Sequence, residues 1–195
     1  MAVYAPSPAI GALRQGEIIS DFVEAHLNLD SLRLGQPEQL KFDEKIHPLA
    51  IILTQDCDLD WDFKARESTD FEAQQHRANK RIPKVLLCEL WRAEQLRGEL
   101  NLNSALWKRI MQNGDERFHI LPSIAKTEDA QVEGFPDLAV DFKRIFAIPT
   151  DELYFRLTCG TRRRSFLVPP FLQNLSNRFG YYFMRVALPE TPRNP

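Results

Sequence analysis

His47-Pro48-Leu49-Ala50-Ile51-Ile52-Leu53-Thr54 decides the fold. From Leu49 the run is apolar without interruption. It is too short for a buried helix and too uniform for a strand with one wet face, so it predicts a strand covered on both sides. Upstream, Gly16 to Glu24 carries Ile18, Ile19, Phe22 and Val23, a β-branched-rich run that predicts the preceding strand. Downstream, Lys84 to Leu90 predicts a third. The chain is therefore mainly β around a buried strand.

Farther out the period changes. Leu96, Leu100, Ala105, Leu106 and Ile110 recur at three to five residues, which predicts helix over about 93–112, broken near Gly98 with an N-cap at Asn103 or Ser104. Asn113-Gly114 stops it, with Gly114 expected to supply the left-handed turn. Phe118 to Leu121 and Asp137 to Ile148 read as strands. Arg156 to Val168 predicts a hairpin around Cys159-Gly160-Thr161. After Pro169-Pro170, the spacing of Phe171, Leu172, Leu175, Phe179, Tyr182 and Phe183 predicts a final helix weakened by Gly180.

Composition bounds the function. Hydrophobic residues make up 44% and charged residues 27% of 195, with a net charge of −2. That composition belongs to one globular domain and excludes a polybasic nucleic-acid coat. No apolar run reaches the roughly 20 residues of a membrane span, and no secretory signal precedes the first strand. Three scattered cysteines (Cys57, Cys88, Cys159) argue against a disulfide framework or a zinc ribbon. The expectation is a cytoplasmic protein without a membrane. The near-neutral sum conceals structure: residues 41–72 hold nine acids and four bases, and 76–112 hold eight bases and three acids. Either these blocks pair or are solvated, or the fold separates them into two faces.

The order of elements resembles the PemK/MazF toxin family. Four segments carry the resemblance: Gly16-Glu17-Ile18-Ile19, the His47 to Thr54 run, Leu138-Ala139-Val140-Asp141-Phe142-Lys143-Arg144-Ile145, and the amphipathic C-terminal helix. It implies an SH3-like β-barrel over 15–188 with an inserted helix, between an irregular leader (1–14) and a tail (189–195). The Gln55-Asp56-Cys57-Asp58-Leu59 run and Phe118 to Pro122 also resemble a divergent bacterial branch, which implies no particular activity. The toxin family's enzymes cut RNA without metal and form dimers. The resemblance thus implies an RNA-directed protein, an endoribonuclease with altered residues, needing no cofactor. The alternative is a non-catalytic module binding protein or nucleic acid in a defence or toxin-like complex. The departures matter: His47 stands where the family has Arg, Ala139 replaces another Arg, and Leu90-Trp91-Arg92 occupies the place of a Ser or Thr.

Cleavage by 2′-OH attack needs a base, an acid and a cation. His47 is the candidate acid or base, Asp141 the orienting or deprotonating group, and Arg144 the phosphate fork. A structural reading stands beside it, in which His47 caps a strand edge and Asp141 and Arg144 form a surface pair. Two clusters are candidates for binding RNA or a partner: Arg77, Lys80, Arg81 and Lys84, and Arg162, Arg163 and Arg164. Three successive arginines on a strand cannot share one face, so at least one pairs inward or the run is a loop. Asp56, Asp58 and Asp60 are weak metal candidates. On an extended chain they share a face with Asp62, but Trp61 stands where a calcium loop needs Gly. A hydrolase pairing Cys57 with His47 or His119 is disfavoured, because flanking carboxylates weaken a thiolate. Trp61, Trp91 and Trp107 lie in polar surroundings and suit either partner contact or coverage of the barrel ends.

Overall fold

A computed structural model describes residues 2–33, 40–67 and 78–184. The expected tail and Arg77 lie outside the described residues. Seven strands of the described residues form one antiparallel sheet: β1 (Tyr4–Pro6), β2 (Glu17–Leu27), β3 (Phe42–Ile52), β4 (Lys84–Arg92), β5 (Phe118–Leu121), β6 (Leu138–Pro149) and β7 (Arg162–Leu167). Their order is β1-β7-β2-β3-β4-β6-β5. Among the described residues six helices accompany them: α1 (Leu29–Arg33), α2 (Asp56–Glu67), α3 (Ala93–Glu99), α4 (Ser104–Met111), α5 (Thr150–Arg156) and α6 (Phe171–Met184).

Leu49 to Ile52 are all buried, and the reason is the one their sequence implied: both faces of β3 are covered. Ile51 and Leu49 pack with Ile18, Leu90, Val140 and Phe142 beneath Leu175 of α6. Ala50 and Ile52 pack on the other side with Leu87 and Ile148, under Leu59 of α2 and Leu153 of α5. Each fully buried large aliphatic chain contributes roughly 1.5–3 kcal/mol of transfer free energy, so β3 is the spine of the core. The insertion forms a third cluster, with Leu96, Trp107 and Ile110 on Phe118, Ile120 and Ala139.

The sheet is open, which corrects the expected closed barrel. It curls far enough for the Tyr4 hydroxyl to donate to the Pro122 carbonyl at 2.8 Å just past β5, yet the edge strands β1 and β5 do not pair. The edge of β5 is occupied by side chains instead. Asn113 exchanges two bonds with the Ile120 backbone (2.6 and 3.2 Å), and Arg178 of α6 donates to the Phe118 carbonyl. Satisfied in this way, the edge has no vacant ladder to offer β1.

The expected break in the helix at about 93–112 is present: it is two helices, with the Asn103 side chain accepting from the Leu106 amide as N-cap. Several local expectations change. The leader contributes β1, paired with β7 from Tyr4↔Leu167 to Pro6↔Ser165, because its backbone finds a partner far along the chain. The left-handed residue after α4 is Asn113 (φ 53°), not Gly114; Asn tolerates that region and its amide is used on β5. At Gly16 the glycine is required: φ is 73°, and a Cβ would meet Leu172 at 2.9 Å. No hairpin forms over 156–168, since α5 occupies Thr150–Arg156 and β7 pairs with β1 and β2. None of the described helices is long and apolar enough to cross a membrane.

Two buried arginine pairs tie β7 into place. Arg163 donates to both Glu17 oxygens (2.6 and 2.8 Å) and to the Gly11 and Ala12 carbonyls. Arg164 donates to both Asp129 oxygens (2.9 and 2.7 Å), while Asp129 also accepts from the Gln131, Glu133 and Gly134 amides. Breaking such a pair from one side strands a buried charge. Arg163→Met is expected to lower unfolding stability by about 3–5 kcal/mol, and Glu17→Gln in the same chain should recover part of that loss. Denaturant titration of the wild type and the two variants checks this, and a loss under about 1 kcal/mol would refute the assignment.

Candidate functional site

Strands β3 and β4 pair only from Ala50↔Glu89 to Ile52↔Leu87. Beyond Ala50, β3 continues with β2 as far as Leu27↔Phe42; beyond Glu89, β4 continues with β6 as far as Arg92↔Leu138. The sheet therefore forks, and the two branches part around a cleft of about 600 Å³. One wall is Lys45 to Leu49 with Ser20 and Asp21. The other is Glu89 to Arg92 with Gln95 and Arg144, and Arg162, Arg164, Glu133 and Phe135 close one side. Asp21 takes φ 60° at the fork, a conformation an Asp tolerates better than most residues.

Glu89 sits in the crotch. The Lys45 ammonium reaches Oε1 at 2.5 Å, His47 Nδ1 faces the same oxygen at 3.2 Å, and Arg144 donates to Oε2 at 3.3 Å. These partners, His47 first and then Lys45 and Arg144, hold the Glu89 carboxyl down at about 2 against the opposing effect of burial. Its ionised form thus binds the two branches together above the ordinary carboxylate range, and that contribution disappears as pH falls through about 2.

His47 is enclosed. Its other nitrogen, Nε2, meets Glu24 at 2.9 Å, and its ring stacks on Phe146 at 4.2 Å. Asp141 is fully buried beneath the wall, carrying Arg117 on both oxygens (2.7 and 2.6 Å) with Arg144 Nε at 3.6 Å. The three residues expected to catalyse are thus brought into one network through Glu89. Within it Asp141 lies behind the cleft wall, His47 is an enclosed part of that wall, and Arg144 is the partly exposed member, its guanidinium 4.5 Å over the Trp91 ring. Asp141 is no surface group: it anchors Arg144 and Arg117 from below.

The arginines of β7 divide. Arg163 and Arg164 are committed to the buried pairs described above, although Arg164 still borders the cleft. Arg162 is half exposed, with long contacts to Asp21 (3.2 Å) and Glu133 (3.8 Å). Lys80, Arg81 and Lys84 do not line the cleft. Lys80 lies 5.2 Å over Trp61, and Lys84 is eight residues from Arg92 along β4, about 26 Å of strand. The expected binding residues therefore belong to two separate regions. Trp107 proves to be core.

The acidic run is helix α2, not extended chain, so its aspartates spread around the axis. Asp56 accepts from the Gln15 amide, Asp60 meets Lys64 at 2.6 Å, and the buried Asp62 holds Arg66 and the Ile82 amide. They do not share one face as metal ligands. Cys57 is exposed on that helix, whereas His119 is enclosed in β5, where burial, aided by the Arg178 charge, pushes its imidazole down to about 4. Nothing in this arrangement joins them as nucleophile and base.

Glu24, Lys45, Glu89 and Arg92 were missed from the sequence, whereas Trp91 had been singled out for partner contact. Glu89 had a signal, a carboxylate inside the apolar Lys84 to Leu90 run, which demands compensation wherever it is buried. Comparison with protein-family models, curated proteins and solved structures finds no match to this chain.

His119 makes folding pH-dependent. Unfolded, it binds a proton below its ordinary 6.5; folded, it resists until about 4. The unfolded state thus binds more protons between those values, and stability falls as pH drops through that window. Melts at pH 7, 5.5 and 4.5 should show the loss, and His119→Leu should reduce its slope. An unchanged slope would remove His119 as the cause.

Proposed function

We propose that the cleft binds a single-stranded RNA segment, and that the protein is RNA-directed and binds without cutting. The observation that carries this reading is the convergence of Lys45, Arg92, Arg144, Arg162 and Arg164 on one cleft that also holds Trp91 and Phe135. Bond lengths separate the cations that can serve phosphate from those that cannot. The contacts of Arg144 and Arg162 run from 3.2 to 3.8 Å, long for charge-assisted bonds, so their exchange for phosphate oxygens costs little. Arg92 is exposed and makes no ion pair among the described residues. Arg164 is fixed by short buried bonds and shapes the wall. A cleft of this volume accommodates nucleotide-sized groups, and aromatic rings beside guanidinium groups suit sequence-tolerant contacts to single strands. The resemblance to RNA-directed toxins favours RNA over other polyanions.

Binding is favoured over cleavage because both side chains are enclosed, His47 between Glu24 and Glu89 and Asp141 against Arg117. A general base must be within hydrogen-bond reach of the proton it takes; Asp141 does not line the cleft, and the His47 side chain, although part of its wall, has no exposed surface.

Fluorescence anisotropy with a labelled single-stranded RNA tests the proposal. Saturable binding is expected at 50 mM salt, weakening on the order of 10-fold at 200 mM if about three phosphates are neutralised. Arg92→Glu with Arg162→Glu should weaken binding at least 10-fold, while Lys84→Glu, outside the cleft, should leave it within about 2-fold. The RNA should remain intact with and without EDTA. Absence of binding at low salt, or equal binding by the cleft variant, overturns RNA as the ligand. Cleavage abolished by His47→Ala overturns the non-catalytic reading.

A further inference from the structure

Arg162 and Arg164 are two apart on β7, so their side chains leave the same face of the strand, opposite Arg163. Both line the cleft, and the Glu133 carboxylate lines it with them. Arg164 Nη2 donates to Glu133 Oε2 at 2.8 Å, and Arg162 Nη1 lies 3.8 Å from Oε1. One carboxylate thus spans two guanidinium groups, each oxygen toward a different one. The Glu133 side chain is 57% exposed and that of Arg162 48%, so this contact meets water, whereas the Arg163–Glu17 pair is enclosed.

Neither arginine needs Glu133. Arg164 already holds both oxygens of the buried Asp129, and Arg162 Nε has Asp21 at 3.2 Å. A guanidinium matched by one carboxylate gains little from a second, exposed one. The backbone that carries Glu133 is nevertheless fixed. Asp129 accepts from the Gln131 and Glu133 amides on either side of Val132. Val132 takes φ 57°, a conformation that a β-branched residue rarely adopts. Phe135 then exchanges two backbone bonds with Ile124 (2.8 and 3.0 Å). Backbone strain held at the rim of a cleft, next to a carboxylate that stability does not require, points to a role for that side chain in the cleft.

A carboxylate and a phosphodiester each carry one negative charge and offer two oxygens to guanidinium donors. Arg162 and Arg164 therefore frame an anion site that the chain fills with its own side chain. Because the backbone is fixed and the side chain exposed, Glu133 leaves by rotating about its own bonds. Arg164 keeps its Asp129 bonds and offers the one N–H that Glu133 releases.

We propose that Arg162 and Arg164 form a phosphate subsite of the cleft, and that Glu133 is its resident anion, displaced when a phosphate enters. The inference deepens the RNA reading and rests on it for the source of the phosphate, so the test adds a probe without RNA. Glu133→Gln should tighten binding of the labelled single-stranded RNA about 5-fold, the scale of one exposed ion pair. Calorimetry with inorganic pyrophosphate should show a similar gain. Glu99→Gln removes the same charge from an exposed position on α3 outside the cleft, and should change neither affinity by more than about 1.5-fold. In an Arg162→Gln background the gain from Glu133→Gln should fall below about 2-fold, because one of the two guanidinium groups in competition is gone. A gain with either probe that fades without Arg162 supports the subsite, and a gain with pyrophosphate alone removes only RNA as the source. No gain with either probe overturns the subsite, even where the wild type binds RNA. A gain matched by Glu99→Gln, or retained in full without Arg162, is an effect of net charge and overturns it as well.

Discussion

A single carboxylate placed in an apolar strand sets the terms for the rest of this molecule. Glu89 lies where β3 and β4 stop pairing, and its charge is compensated by Lys45 and His47 from one branch and Arg144 from the other. A buried ion needs partners with good geometry, and here the partners come from both sides of a gap. The same contacts that satisfy Glu89 therefore also fix the width of the cleft. Arg144 extends the network to Asp141 and Arg117, so the wall strand β6 is held from within as well as from across.

The cleft owes its positive character to how ion pairing is distributed. The buried carboxylates Glu17 and Asp129 consume Arg163 and Arg164 with short bidentate bonds. Arg92, Arg144 and Arg162 are left at the cleft with long contacts or none. A near-neutral chain can thus present a groove with more bases than acids, because many of its acids are engaged away from it, on α2 and in the buried pairs of β7, while Glu89 within it is matched by Lys45 and Arg144.

Most of the strands were legible because their patterns are local. The Leu49 to Ile52 run is apolar on both faces, and that can be read residue by residue. Helices α3 and α4 were legible through their period and the Asn103 cap. Helix α2 was misread because its aspartates alternate, which suggests an extended chain. A better signal lay in the same residues: Asp60 with Lys64 and Asp62 with Arg66 are four apart, the spacing of paired neighbours on a helix. Strand β7 was misread as half of a hairpin because its partners, β1 and β2, lie about 150 residues away; no local pattern encodes so distant a pairing. Of the candidate site, His47 and Arg144 were legible as polar groups beside apolar strands. Arg92 was passed over because its importance comes from the fork.

Sequence alone determined the α+β class, the buried central strand, the paired insertion helices and the C-terminal helix, because each follows from periodicity and capping within a few turns of chain. Only the tertiary structure decided that the sheet stays open, that it forks at Glu89, and which arginines are locked away. The physical reason is that the worth of a charge depends on what lies within a few ångströms of it. Arg162, Arg163 and Arg164 are identical in sequence, and their separate fates follow from Glu17, 146 residues from Arg163, and Asp129, 35 from Arg164.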